Sequence, residues 1–183
     1  MVLSVSATLD ELFGRRAAVI VPAAIAAPAA RALRDQLAPR LSRYALLDRG
    51  SYEVATVEPG AFAATCDLAR RLAEDHTGRT LEVTEARALQ LSPGDYLLAH
   101  HDRIDDDQPV EVTFDLSPAP VPRAEIHYRR RGQVFFRVPC TPGAAAIVER
   151  GPTVSCNHTY VSRLHEGARV VRLVVRLRDR VTP

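Results

Sequence analysis

The amino-acid sequence predicts an α+β fold in which two helices precede an antiparallel β core. Helical periodicity is confined to the first part of the chain, and about eight short strand candidates follow it, separated by turn sequences such as Ser-Pro-Gly and Thr-Pro-Gly. Short strands at that spacing are typical of a sandwich or a barrel. The 183 residues, 46% hydrophobic and 25% charged, suffice for one globular domain with a substantial core.

The N-terminal part begins with a predicted strand and a predicted helix. Residues 17–21 form a short apolar run that is typical of a buried strand and ends before a proline. Residues 28–41 are predicted to be helical, because Leu33, Leu37 and Leu41 recur at i, i+4 and i+8. This leucine stripe is expected to face the core, and Pro39 is expected to kink or end the helix.

A second helix is predicted after two further short strands. The strands lie around 44–47 and 52–57 and are separated by Asp-Arg-Gly, a typical turn sequence. Residues 61–76 then carry apolar side chains along one helical face. Gly78 is the expected end, because glycine readily adopts the left-handed conformation that closes helices. Residues 1–79 are therefore predicted to be mainly helical support.

The β core is predicted to occupy residues 80–178 of a single domain that spans 1–183. No convincing helical pattern occurs in this part, and turn residues recur between short apolar or alternating runs. The helices are expected to pack on the outside of the core. The strand candidates are 81–91, 96–100, 110–116, 123–129, 133–138, 144–149, 157–164 and 168–178.

Composition argues against several classes of partner. The net charge is only +2 and the arginines are spread along the chain, which does not predict a nucleic-acid partner. No run reaches the roughly 20 apolar residues that a membrane span requires. The N-terminus lacks the basic start and apolar run of a signal peptide, and Cys66, Cys140 and Cys156 stand far apart. These features predict a cytoplasmic protein with reduced thiols, and they leave its oligomeric state open.

A candidate metal-binding pair follows the predicted 96–100 strand. His100 and Asp102 are two residues apart, so an extended chain would point both to the same side. Two ligands hold a divalent ion weakly, and His158, in a later β segment, is the natural third. Two histidines and one carboxylate form the facial triad of non-haem Fe(II) oxygenases, which leaves coordination positions open. Ordinary surface or hydrogen-bonded histidines are the alternative.

The last predicted strand brings an arginine to an apolar face. Alternation places Arg169 on the face that continues with Val171, Leu173, Val175 and Leu177. Arg172 falls on the opposite face, which is predicted to point outward. Because burial of an unpaired guanidinium is costly, Arg169 is expected to pair with a protein carboxylate, reach water, or hold an anion with its planar fork.

Together these motifs resemble the Fe(II)/2-oxoglutarate-dependent dioxygenases, specifically the prolyl-4-hydroxylase-like branch. In that branch a Pro-Gly-Asp turn and an aromatic residue lead into His-x-Asp, and a later histidine precedes Gly-x-Arg or Gly-x-Lys. The resemblance covers most of residues 80–178. The matching residues are Pro93-Gly94-Asp95-Tyr96, His100, Asp102, His158 and Gly167-Ala168-Arg169.

The resemblance implies a double-stranded β-helix core, a cupin-like jelly roll. It implies that His100, Asp102 and His158 are the catalytic residues and bind Fe(II), that Arg169 binds the distal carboxylate of 2-oxoglutarate, and that O2 is the oxidant. Asp102 implies hydroxylation, desaturation or ring closure, because related halogenases carry a small residue there. The implied substrate is a small molecule, an amino-acid derivative or a prolyl or peptidyl side chain. Many relatives carry a tyrosine that contacts 2-oxoglutarate, and the nearest position here is Leu91. Arg172 is the fallback for Arg169, although alternation places it outward.

Two other functions stay open. The chain would be a non-catalytic jelly-roll binding or partner subunit if it kept the fold without the chemistry. It would be a cupin-like metalloenzyme if it used the same three ligands without 2-oxoglutarate, and then replacing Arg169 by alanine would leave its activity intact.

Overall fold

Eleven strands and two α-helices make up the part of the chain that this computed structural model describes, residues 18–100, 109–150 and 154–181. The helices are α1, Ala27–Leu37, and α2, Ala63–Thr77. The strands are β1 Ala18–Val21, β2 Ser42–Leu46, β3 Gly50–Val57, β4 Leu81–Leu91, β5 Tyr96–His100, β6 Val110–Asp115, β7 Ile126–Arg130, β8 Gln133–Val138, β9 Ala145–Glu149, β10 Val154–His158 and β11 Val170–Asp179.

The strands pair antiparallel along one continuous path. Its order is β1-β9-β6-β11-β4-β3-β5-β10-β7-β8, and β2 pairs with β3 beside that path. Only two residue pairs join β3 to β5, Gly50 with Leu97 and Ser51 with Tyr96. Together the strands form a nearly closed barrel. The predicted jelly-roll core is thereby confirmed, and three strands that precede residue 79 contribute to it alongside the helices.

Both helices pack on the outer face of the sheet, as the sequence predicts. Leu37 of α1 and Ala69 and Ala73 of α2 are fully buried against apolar side chains of β6 and β11. Small residues on α2 allow a close approach to the strands. Gly78 ends α2 with φ at 70°, and its N–H donates to the carbonyl of Glu74, which confirms the expected end. Neither described helix is long and apolar enough to cross a membrane.

The helix predicted over 28–41 ends before residue 41, at the proline that is expected to kink or end it. The α-helix stops at Leu37, and a 3-10 turn over Ala38–Arg40 follows it. Pro39 accounts for this, because its ring replaces the N–H that another helical turn would require and clashes with the preceding turn.

The predicted strand 157–164 is also misplaced. Strand β10 already ends at His158, because Thr159 turns to the chain before β7. The Thr159 N–H donates to the Glu125 carbonyl at 2.9 Å, and its Oγ1 accepts the Glu125 N–H at 2.8 Å. His158 therefore lies at the end of a strand beside a fixed turn.

Strand β11 is buried on both faces over its first eight residues. Val171 and Leu173 face the helices, whereas Val174 packs against Leu89 and Leu97 on the inner side of the barrel. The prediction that one face is solvated is therefore wrong. Helices cover the outer face, so the alternate residues, Arg172 among them, line the interior.

Candidate metal and anion site

The Pro-Gly-Asp turn before β5 is held by a buried carboxylate. Asp95 is only 2% exposed and accepts hydrogen bonds from Arg43 at 2.9 and 2.5 Å, from the Ser92 N–H at 2.9 Å and from the Ser51 hydroxyl at 3.2 Å. Burial raises the pKa of Asp95, but these donors, Arg43 foremost, outweigh it and lower the pKa. The turn therefore depends on an ionised Asp95.

The same turn also fixes the chain that leaves β10. The Gly94 N–H donates to the Val161 carbonyl at 2.8 Å, and the Val161 N–H donates to the Asp95 carbonyl at 2.9 Å. Val161 follows His158 by three residues, and His100 ends the strand that begins after Asp95. This pair of backbone hydrogen bonds thus ties together the two chain segments that carry the candidate histidines.

Strands β5 and β10 are direct neighbours in the sheet. Cys156 is the register partner of His100, and His158 is the partner of Leu97, with an irregularity between the two pairs. His158 is 4% exposed. Asp102 and the His100 side chain lie outside the described part of the structure, within which no three metal-ligating side chains converge. The neighbouring strands bring His100 and His158 into one region of the sheet, and their ligation stays a prediction.

Arg172 is a buried arginine without a described ion pair. It is 2% exposed, its Nη1 lies 2.7 Å from Nδ1 of His158, and its Nη2 donates to the Ala124 carbonyl at 3.0 Å. Burial lowers its pKa, although the carboxylate of Asp115 acts in the opposite direction. Asp115 is the register partner of Arg172 on β6, yet its carboxylate accepts the N–H groups of Ser117 and Thr141. Among the described carboxylates, none forms a salt bridge with Arg172.

The expected position of Arg169 is wrong. Arg169 precedes β11 and is exposed, whereas Arg172 lies inside the barrel. The turn over 163–167 is closed by the Ala168 N–H donating to the His165 carbonyl, and the strand begins only at Val170. Alternation counted from Arg169 places it on the core face with Val171 and Leu173, which proves to face the helices, and it wrongly places Arg172 outward.

A second buried polar cluster was not predicted. The carboxylate of Glu111 on β6 accepts a hydrogen bond from the Tyr128 hydroxyl at 2.8 Å and another from an Arg150 guanidinium N–H at 2.5 Å. Arg176 lies 3.7 Å from the same carboxylate. The guanidinium groups, Arg150 foremost, keep the pKa of Glu111 low although its burial acts the other way. The alternation of apolar and polar residues along β6 would predict this cluster only if both faces of the strand were known to be buried.

Leu91 lies at the end of β4 in an apolar cluster. It is 1% exposed and packs with Val121, Val161 and Val170. This apolar cluster adjoins Arg172, since Val170 and Arg172 are alternate residues on the inner face of β11. The region beside the guanidinium is consequently shielded from water by hydrocarbon.

Comparison with known proteins gives relatives by fold and none by sequence. No family model matches the chain, and no curated protein matches it in sequence. A prolyl-4-hydroxylase from Pseudomonas putida has a TM-score of 0.70 and 18% identity, with 96% of this chain and 99% of that chain covered. An oxidoreductase of the 2OG-Fe(II) oxygenase family from Burkholderia pseudomallei has a TM-score of 0.69 and 16% identity, covering 94% and 88%.

A third structure comes from a protein with different chemistry. The non-haem alpha-ketoglutarate-dependent carbocyclase SnoK from nogalamycin biosynthesis has a TM-score of 0.68 and 14% identity, with 97% of this chain and 84% of that chain covered. The expected likeness to Fe(II)/2-oxoglutarate oxygenases, prolyl-4-hydroxylases included, is thus confirmed at the level of the fold. One fold supports several reactions, so the function of this chain must be argued from its own residues.

Proposed function

We propose that this chain is an Fe(II)- and 2-oxoglutarate-dependent oxygenase in which His100, Asp102 and His158 bind the metal and Arg172 binds the distal carboxylate of 2-oxoglutarate. The observation that carries the proposal is the burial of Arg172 beside His158 without an ion-pair partner among the described residues. Arg172 replaces Arg169 in this role, because Arg169 precedes β11 and is exposed to solvent.

The surroundings of Arg172 fit a carboxylate ligand. A buried guanidinium that meets only neutral acceptors is poorly compensated, and a carboxylate is the acceptor that its planar fork matches best. Val170 and Val174 flank Arg172 on the inner face of β11, so a carboxylate there would meet little competition from water. Asp115 acts on Arg172 only from the neighbouring strand, and an anionic ligand at this point supplies the direct ion pair that the described residues do not.

The metal ligands fit by their chemistry and by the strands that carry them. Two imidazoles and one carboxylate are the donor set of non-haem Fe(II) sites, and His100 and His158 belong to neighbouring strands. Bound Fe(II), with 2-oxoglutarate and O2, would supply the oxidation of a substrate C–H bond. The protein would hold the ligands through the turn at Asp95, orient the co-substrate through Arg172 and exclude water with the apolar cluster around Leu91.

The proposed reaction is the hydroxylation of a small molecule or an amino-acid-derived substrate, prolyl or peptidyl groups included. Asp102 supplies a carboxylate ligand, which favours hydroxylation over halogenation. The apolar lining near Arg172 accommodates the hydrocarbon chain of 2-oxoglutarate.

The test is anaerobic titration of the Fe(II)-loaded protein with 2-oxoglutarate. The wild type is expected to bind it with the weak visible charge-transfer band of a metal-chelated 2-oxo acid. Arg172→Met should weaken 2-oxoglutarate binding by about 30-fold, since loss of a charged hydrogen-bond partner costs about 2 kcal/mol. Arg169→Met is the matched control and should bind like the wild type.

Other outcomes of this titration separate the competing functions. Metal binding without any response to 2-oxoglutarate would indicate a cupin-like metalloenzyme. Absence of both would indicate a non-catalytic binding or partner subunit. Loss of 2-oxoglutarate binding in Arg169→Met, with Arg172→Met unaffected, would return the anion site to Arg169 and contradict the role assigned to the buried arginine.

A further inference from the structure

The single ring lone pair of a neutral His158 is required both by Arg172 and by a metal ion. Nη1 of Arg172 lies 2.7 Å from Nδ1 of His158. A guanidinium has donors only, so Nδ1 must accept this hydrogen bond. A neutral imidazole has one N–H and one lone pair, which places the N–H on Nε2 and commits the lone pair to Arg172. A neutral His158 in this arrangement has no lone pair left for a metal.

We propose that Arg172 is a latch that withholds His158 from the metal until a dicarboxylate draws the guanidinium away. The proposal rests on the proposed function and concerns the regulation of that same site. When Arg172 turns to the distal carboxylate of 2-oxoglutarate, Nδ1 of His158 is released and a lone pair becomes available to the metal. Binding of 2-oxoglutarate then strengthens metal binding beyond what chelation by the 2-oxo acid provides.

The contacts of Arg172 make such an exchange favourable. The latched guanidinium is held by two neutral acceptors, His158 Nδ1 and the Ala124 carbonyl at 3.0 Å. The carboxylate of Asp115, its cross-strand neighbour, is engaged by backbone N–H groups. A carboxylate offers the guanidinium an opposite charge and two parallel hydrogen bonds, which neutral acceptors cannot, so an incoming dicarboxylate competes well for Arg172.

The tautomer of His158 in the metal-free protein tests the latch directly. Long-range 1H–15N correlation spectra show which ring nitrogen carries the proton, and His158→Gln identifies the signals. We expect Nε2–H in the wild type and in Arg169→Met. We expect a changed ring pattern in Arg172→Met, and in the wild type with glutarate, which has two carboxylates but no 2-oxo group. Nδ1–H in the wild type without glutarate would overturn the proposal.

The affinity for a metal ion gives a second test, because the two explanations predict opposite changes of affinity in Arg172→Met. Titration calorimetry with Co(II), in the absence of any dicarboxylate, should show Arg172→Met binding about tenfold more tightly than the wild type. An arginine that merely supports His158 as a ligand would give weaker binding on removal. Glutarate should raise the Co(II) affinity of the wild type about tenfold and leave that of Arg172→Met unchanged.

These measurements separate failure of the latch from failure of the proposed function. Equal Co(II) affinities of the wild type and Arg172→Met, both abolished by His158→Gln, would leave the metal site standing and refute the latch. Co(II) binding in none of the variants would refute the metal site, and the latch with it, since nothing would remain to regulate.

Discussion

Replacing Asp95 by asparagine should destabilise the protein in a pH-dependent way. The asparagine side chain would keep one acceptor oxygen but place an N–H2 group among donors, against Arg43 or the Ser92 N–H. The side chain of Arg43 is 51% exposed, so water screens its ion pair with Asp95. Loss of that ion pair therefore contributes little to the change in unfolding free energy. The contacts to Ser92 and Ser51 and the burial of the site leave a cost of about 2 kcal/mol.

The pKa of Asp95 gives the sign of the pH dependence. Its pKa is lowered in the folded protein from an ordinary value of 3.8, so its ionisation stabilises the fold above that value. This stability is lost as the pH falls through the lowered pKa, because the protonated acid then resembles asparagine. The difference in unfolding free energy between the wild type and Asp95→Asn should therefore be largest at pH 7 and become smaller as the pH falls.

Urea and thermal unfolding followed by circular dichroism over a pH series measure this difference. At pH 7 the thermal midpoint should fall by about 4–8 °C in a chain of this size. Asp48→Asn, at an exposed turn between β2 and β3, is the matched control and should change stability by less than about 0.5 kcal/mol. A destabilisation by Asp95→Asn that is equally large at pH 7 and at the acid end would refute the reasoning.

Two further predictions concern packing and buried charge. Glu111→Met should cost about 3–5 kcal/mol in urea unfolding, because it leaves the 1% exposed side chain of Arg150 without its carboxylate. The double variant Glu111→Met/Arg150→Met should recover most of this loss, and no recovery would contradict the ion-pair explanation. Gly50→Ala should cost about 1–3 kcal/mol, since its Cβ would lie 2.5 Å from the Tyr96 carbonyl oxygen. Gly60→Ala, whose Cβ would meet no heavy atom beyond its chain neighbours within 4 Å, should be nearly neutral in the same measurement.

The sequence predicted the elements well because their signals are local. The leucine stripe of α1, the glycine after α2 and the Pro-Gly turn before β5 each depend on residues a few positions apart. The ends of elements were less predictable where a distant contact decides them. Strand β10 stops at His158 because Thr159 bonds to Glu125, 34 residues earlier, and no local pattern reveals that contact.

The candidate site was predictable in part for the same reason. His158 was singled out by its residue type and order in the chain, and it proved to be buried beside a charged group. The choice between Arg169 and Arg172 required knowledge of which face of β11 looks into the barrel. Alternation defines two faces but cannot tell which is interior when helices bury one and the barrel buries the other.

The position of β11 in the sheet has a consequence for how the chain folds during synthesis. Strands β4 and β6 do not pair with each other, because β11 lies between them and pairs with both. The central part of the sheet therefore cannot be completed until residues 170–179 have left the ribosome. Until then the inner edges of β4 and β6 expose unpaired backbone groups, and such edges are where a growing chain is most prone to associate with other chains.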